Sequence, residues 1–89
     1  MFSRKAETDL ESIGDYIAGD NPRRALSFVR ELRKRCKSIG DFPENNPRFR
    51  ELGPDARFCP HRDYIILYRV LDQSVSIERV LHGARDIFR

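Results

Sequence analysis

The sequence predicts an α+β fold in which an N-terminal antiparallel helical hairpin packs on a small antiparallel β-sheet. Three observations carry this expectation. Two amphipathic helical stripes fill the first half of the chain, and a strand–turn–strand pattern fills the second. A stretch rich in proline and asparagine separates them. At 89 residues the chain is close to the size at which one hydrophobic core is only just sufficient, so a single domain over residues 1–89 is expected.

The first helix has its start signal at Ser3, whose hydroxyl can accept from a free amide of the first turn. Ala6, Leu10, Ile13 and Ile17 then recur at helical spacing, with Tyr16 at the flank of that stripe and Glu7, Asp9, Glu11 and Asp15 facing elsewhere. Ala18-Gly19-Asp20 is the stop. Asn21-Pro22 restarts a helix: Asn21 caps it, and Pro22 occupies the first helical position, where its missing N–H costs nothing. The second stripe is Ala25, Phe28, Val29, Leu32, Cys36 and Ile39. Arg33, Lys34, Arg35 and Lys37 crowd its last turns, where positive charge suits the helix dipole, and Gly40 followed by Pro43 ends it. The short connection makes the two helices antiparallel neighbours.

Residues 42–55 hold three prolines, a glycine and two asparagines and read as an irregular loop, with Phe42 and Leu52 as its expected anchors to the core. Residues 56–59 form a short strand ended by Pro60-His61-Arg62-Asp63. In the next strand Tyr64, Ile66, Tyr68 and Val70 line one face and Ile65, Leu67 and Leu71 the other. A strand apolar on both faces belongs in the middle of its sheet. Asp72-Gln73-Ser74 supplies a turn. The last strand alternates Val75, Ile77 and Arg79 against Ser76, Glu78 and Val80, and Gly83 breaks it.

Composition narrows the function classes. Apolar residues make up 39% and charged ones 35%, the profile of a folding chain, and the net charge of +3 comes from arginines interleaved with acids. That is a solvated surface more than a nucleic-acid stripe, so no direct nucleic-acid contact is expected. No apolar run approaches membrane-spanning length and no secretory signal pattern opens the chain. Cys36 and Cys59 lack partners at metal-ligand spacing, and Cys36, on the apolar stripe, reads as a buried reduced thiol. A cytoplasmic protein is the expectation. With no Gly-rich phosphate loop, nucleophile triad or metal set, no catalytic residue, cofactor or metal is assigned.

Several strings together resemble a known family. They are Ala6-x-x-Asp9-Leu10-x-x-Ile13-x-x-Tyr16-Ile17-Ala18, Asp20-Asn21-Pro22-x-x-Ala25, Phe42-Pro43, Tyr64-Ile65-Ile66-x-Tyr68-Arg69-Val70, and Arg79-Val80-Leu81-His82-Gly83-Ala84-Arg85-Asp86. In this order they resemble the ParE branch of the RelE/ParE toxins, the toxin halves of bacterial toxin–antitoxin modules, a group that includes plasmid stabilisation proteins. The resemblance implies the same helices-then-sheet fold, and a cognate, ParD-like antitoxin whose C-terminal segment wraps the toxin in a hetero-oligomer. For ParE-like members it implies DNA gyrase as the target, inhibited by binding. The resemblance departs at the N-terminus. The family opens with a β-strand, whereas only Met1 and Phe2 precede Ser3 here. Either the start is assigned late or the sheet lacks its first strand, which would leave an edge open to another chain.

The sibling RelE-like toxins are ribosome-dependent mRNA endonucleases, and metal-free RNA cleavage needs a proton acceptor, a proton donor and cations at the phosphate. In that branch an arginine follows the tyrosine that opens the central strand. Here Ile65 follows Tyr64. The tyrosine expected some residues beyond the final arginine, Arg85, is also missing. The favoured reading is therefore a toxin that binds rather than cuts. The alternatives are a degenerate nuclease built on Arg57, Arg79, His82 and Arg85, and a non-toxic antitoxin-binding member. Ile13, Ile17, Phe28 and Leu32 on the helical hairpin are the expected antitoxin contacts, where not fully buried. Arg79, His82, Arg85 and Asp86, within the C-terminal segment 82–89 or just before it, are the expected target contacts. The binding reading fails if other arginines and a proton acceptor converge on one exposed concave spot.

Overall fold

The computed structural model describes residues 1–87. Helices α1 (Arg4–Ala18) and α2 (Pro22–Asp41) form the hairpin. Two short 3-10 turns, Pro43–Asn45 and Arg50–Leu52, lead to strands β1 (Ala56–His61), β2 (Tyr64–Val70) and β3 (Val75–His82), and a π-helical turn, Gly83–Ile87, follows. Both helix starts are capped as the sequence predicts: Ala6 N–H donates to Ser3 Oγ at 3.0 Å and Arg24 N–H to Asn21 Oδ1 at 3.1 Å. Helix α2 runs through Gly40. It ends at Phe42, whose place before Pro43 disfavours helical backbone.

The sheet is antiparallel in the order β1-β2-β3, so the strand with two apolar faces is central. One face carries Tyr64, Ile66, Tyr68, Ile77 and Val80 against Leu10, Ile13, Phe28, Leu32 and Ile39 of the helices. Two details differ from the sequence reading. Strand β1 does not stop at Cys59: Pro60 lies opposite Ile65 and His61 opposite Tyr64. Proline is tolerated because β1 is an edge strand, and the tight turn that follows places Arg62 at φ 54°. In β3 the register shifts so that Ile77 faces Tyr68 and Arg79 faces Leu67, leaving Glu78 as a bulge. Beyond the bulge the faces exchange, so Val80 rather than Arg79 joins Val75 and Ile77 in the core.

Neither sheet edge is open. Phe2 forms a parallel bridge with Ile77; the Ile77 N–H donates to Met1 O at 2.7 Å and the Ser3 N–H to Ile77 O at 2.8 Å. Further along β3, the Val80 N–H donates to Asp9 Oδ2 at 2.9 Å and the His82 N–H to Asp86 Oδ2 at 2.8 Å. On β1 the Phe58 N–H donates to Pro47 O at 3.1 Å. The anchors of the loop also differ from expectation. Phe42 is 65% exposed and Leu52 42%, so neither secures it. Instead the Tyr68 hydroxyl donates to Pro43 O at 2.6 Å, Arg57 donates to Asn46 O at 2.5 Å, and Phe49 packs edge-on against Phe58. A loop must satisfy its backbone carbonyls, and sheet side chains do so here. Cys36 and Cys59 are buried free thiols, with burial pushing Cys36 up to about 12. Among the described residues no helix is long and apolar enough to cross a membrane.

Candidate functional site

A cavity of about 490 Å³ opens between α1 and the end of β3. All of Arg79, His82, Arg85 and Asp86 line it, joined by Asp9, Ser12 and Tyr64. The local backbone explains the convergence. β3 ends where the Gly83 N–H donates to Asp63 O at 2.8 Å. The π-helical turn then folds back, so the Arg85 N–H donates to His82 Nδ1 at 3.1 Å while Asp86 accepts from the His82 amide. From the opposite wall Asp9 takes Arg79 Nε at 2.8 Å and Nη2 at 3.0 Å, as well as the Val80 amide.

The charges in the cavity are matched internally. Two arginines face two aspartates. The Asp9 hydrogen bonds raise Arg79 further above its ordinary value. Arg85 Nε lies 3.7 Å from Asp86 Oδ1, and its guanidinium sits over the Tyr16 ring at 5.5 Å. His82 accepts at Nδ1, which assigns the proton of the neutral ring to Nε2. Burial holds the Tyr64 phenol above its ordinary value against the pull of nearby Arg85. Arginines and acceptors therefore do converge on one concave spot, the arrangement that tells against a purely binding action; Asp9 and the imidazole lone pair are engaged and the phenol keeps its proton, whereas one oxygen of Asp86 is met only by Arg85 at 3.7 Å. The arrangement can bind.

Other candidate residues lie elsewhere. Arg57 is held by loop carbonyls and Arg69 by Asp55 Oδ1 at 2.7 Å; Arg69 shares a hollow with Arg79, Arg4 and Lys5, whose lining does not include Arg57. Ile65 lies in a separate hollow with Phe49 and Phe58, so the position after Tyr64 does not look into the cavity of Arg85. His61 belongs to a cluster on α2, where Glu31 accepts from Arg24 at 2.5 Å and meets His61 and Arg62 at 3.4 Å. These bonds, Arg24 foremost, lower the Glu31 carboxyl to about 2. Phe88 and Arg89, the end of the expected C-terminal contact segment, lie outside the described residues.

On the hairpin, Leu32 is fully buried and Ile13 and Phe28 nearly so, all within the core, while Ile17 is half-buried at its margin. The apolar surface left free is a groove of about 680 Å³ between α1 and α2, where Leu10, Gly14, Ala25, Leu26 and Val29 line the walls. Leu26, 64% exposed, falls one position past Ala25 and off the core stripe. An exposed leucine beside such a stripe was the available sequence signal. Asp9 was missed as well. Its signal was position: it precedes Leu10 at the border of the apolar face, where a carboxylate can reach the sheet.

Comparison with known proteins places the chain among toxins. The family described as "ParE toxin of type II toxin-antitoxin system, parDE" matches residues 1–87. The chain is 29% identical over 85 residues to Toxin RelE2 of Caulobacter vibrioides, covering 96% of this chain and 94% of that protein. Its fold resembles a structure described as the chromosomal ParDE TA system from P. aeruginosa, with a TM-score of 0.79 at 21% identity over 91% of this chain and 90% of the other.

Proposed function

The chain belongs to the ParE toxin family of type II toxin–antitoxin systems, and from that premise we propose that it inhibits DNA gyrase by protein–protein contact and is neutralised by a cognate, ParD-like antitoxin. It acts in the cytoplasm as the toxin half of a hetero-oligomer. The antitoxin lies along the helical hairpin. Its contacts there are the groove around Leu26 and Val29 and the half-buried Ile17, in place of the buried Ile13, Phe28 and Leu32. The target meets the surface of Arg79, His82, Arg85 and Asp86.

The observation that carries a binding rather than a cutting action is the internal matching of charge in the α1–β3 cavity. Arg79 already holds a carboxylate and the imidazole lone pair is taken, so Arg85 is left as the loosely held cation where phosphodiester cleavage requires several together with a base. The test is gyrase supercoiling with the purified protein. Inhibition with accumulation of cleaved DNA, relieved by the antitoxin, is expected. Undiminished supercoiling at large molar excess would overturn the proposal.

The likeness to a protein named RelE2 favours a second reading, a ribosome-dependent mRNA endonuclease using Arg79, His82 and Arg85. Toeprinting on translating ribosomes separates the two, because only the nuclease yields new A-site cleavage. Induced expression without antitoxin tests the third reading, a non-toxic antitoxin-binding member: arrested growth excludes it.

A further inference from the structure

The polar groups of the α1–β3 cavity are unequally committed. Both oxygens of Asp9 are engaged by Arg79 and the Val80 amide, and Asp86 holds the His82 amide. The donors are less fully used. Arg85 is half exposed and meets Asp86 only at 3.7 Å, beyond hydrogen-bond length. His82 carries its ring proton on Nε2, and the hydroxyls of Ser12 and Tyr64 belong to the same lining. A space whose loosely held groups are mostly donors, with one Asp86 oxygen beside them, favours a ligand made of acceptors. A planar carboxylate asks for one cation, which the Arg85 fork supplies. A phosphodiester backbone would instead bring successive negative charges against Asp9 and Asp86.

We propose that this cavity receives an aspartate or glutamate side chain of the antitoxin, ion-paired to Arg85 and hydrogen-bonded by His82, Tyr64 and Ser12. The inference rests on the toxin–antitoxin reading above and adds how neutralisation is achieved. Helix α1 is the wall between the hairpin groove and the cavity: Leu10 and Gly14 line the first, Ser12 and Ile13 the second. Tyr16, 70% exposed, carries Arg85 on its ring. A helix is about 10 Å across, so a segment lying in the groove crosses α1 with roughly three or four extended residues. A carboxylate delivered in this way covers the surface assigned to the target, and neutralisation becomes competition for one site.

The test is calorimetric titration of the full chain with its cognate antitoxin. Arg85→Ala should weaken binding at least about tenfold. Arg85→Lys should recover part of the loss, since it keeps the charge without the fork. Among antitoxin variants with each Asp or Glu changed singly to its amide, one should lose as much, and its loss should not add to that of Arg85→Ala. Arg85→Ala binding within about twofold of wild type overturns the proposal, as does full additivity at every acidic position. Thermal melts accompany each variant; if Arg85→Ala melts lower, the antitoxin variants against the unaltered toxin decide. Absence of any binding between the unaltered proteins overturns the toxin–antitoxin reading itself, and this proposal with it. A single-stranded RNA oligonucleotide bound by the wild type and lost in Arg85→Ala assigns the cavity to nucleic acid and also overturns it.

Discussion

Asp9 on α1 and Glu31 on α2 each tie a helix to the sheet, one at the far end of β3 and the other at the β1–β2 turn. Asp9 holds both nitrogens of the Arg79 fork and a backbone amide, and its side chain is only 15% exposed. Glu31 has more partners, Arg24, His61 and Arg62, but it is 33% exposed and every partner is a side chain. The comparison teaches that the number of partners is a poor guide to what a carboxylate contributes. A shielded carboxylate that completes a strand edge leaves a stranded amide and an unmatched cation when removed. Removal of an exposed one leaves groups that water can solvate.

The sharpest way to break this ranking is Asp9→Ala. It should cost about 2 kcal/mol and lower Tm by roughly 10 °C, measured by thermal denaturation. Asp9→Asn keeps an acceptor for the Val80 amide and should recover part of that loss. Tyr68→Phe comes next. It strands Pro43 O without touching any charge, and should cost about 1 kcal/mol by urea unfolding. Glu31→Gln should have the smallest effect at neutral pH, and 1 M salt should shrink it further. The same variant carries a pH signature. The Glu31 carboxyl is lowered in the fold from 4.5 to about 2, so its contribution is fully present above 4.5 and is lost as pH falls toward 2. The gap in Tm between wild type and Glu31→Gln should therefore close across that interval. A gap that persists at pH 2, or an Asp9→Ala variant as stable as Glu31→Gln, would remove the distinction between the two ties.

What the sequence made legible follows the range of the interactions involved. Ser3, Asn21 and Pro22 act within one helical turn, and the helix starts fall where those residues predict. The central place of β2 follows from apolar residues on both of its faces. The bulge at Glu78 depends on how β2 and β3 fit together, and strict alternation along β3 therefore assigned Arg79 and Val80 to the wrong faces. Phe42 looked like an anchor because it is aromatic, but the loop is held by hydroxyl and guanidinium groups reaching from the sheet. The site shows the same divide. Arg79, His82, Arg85 and Asp86 are near one another in sequence, and the structure gathers them at one cavity. Asp9, seventy residues upstream of Arg79, belongs to the same cavity through a contact that no local pattern encodes.

The closed margins of the sheet have a consequence for how this protein meets other molecules. With the rim amides of Ile77, Val80, His82 and Phe58 consumed internally, these donors are not available for pairing with a second copy. Affinity for a partner must then be written in side chains and surface curvature instead of main-chain pairing.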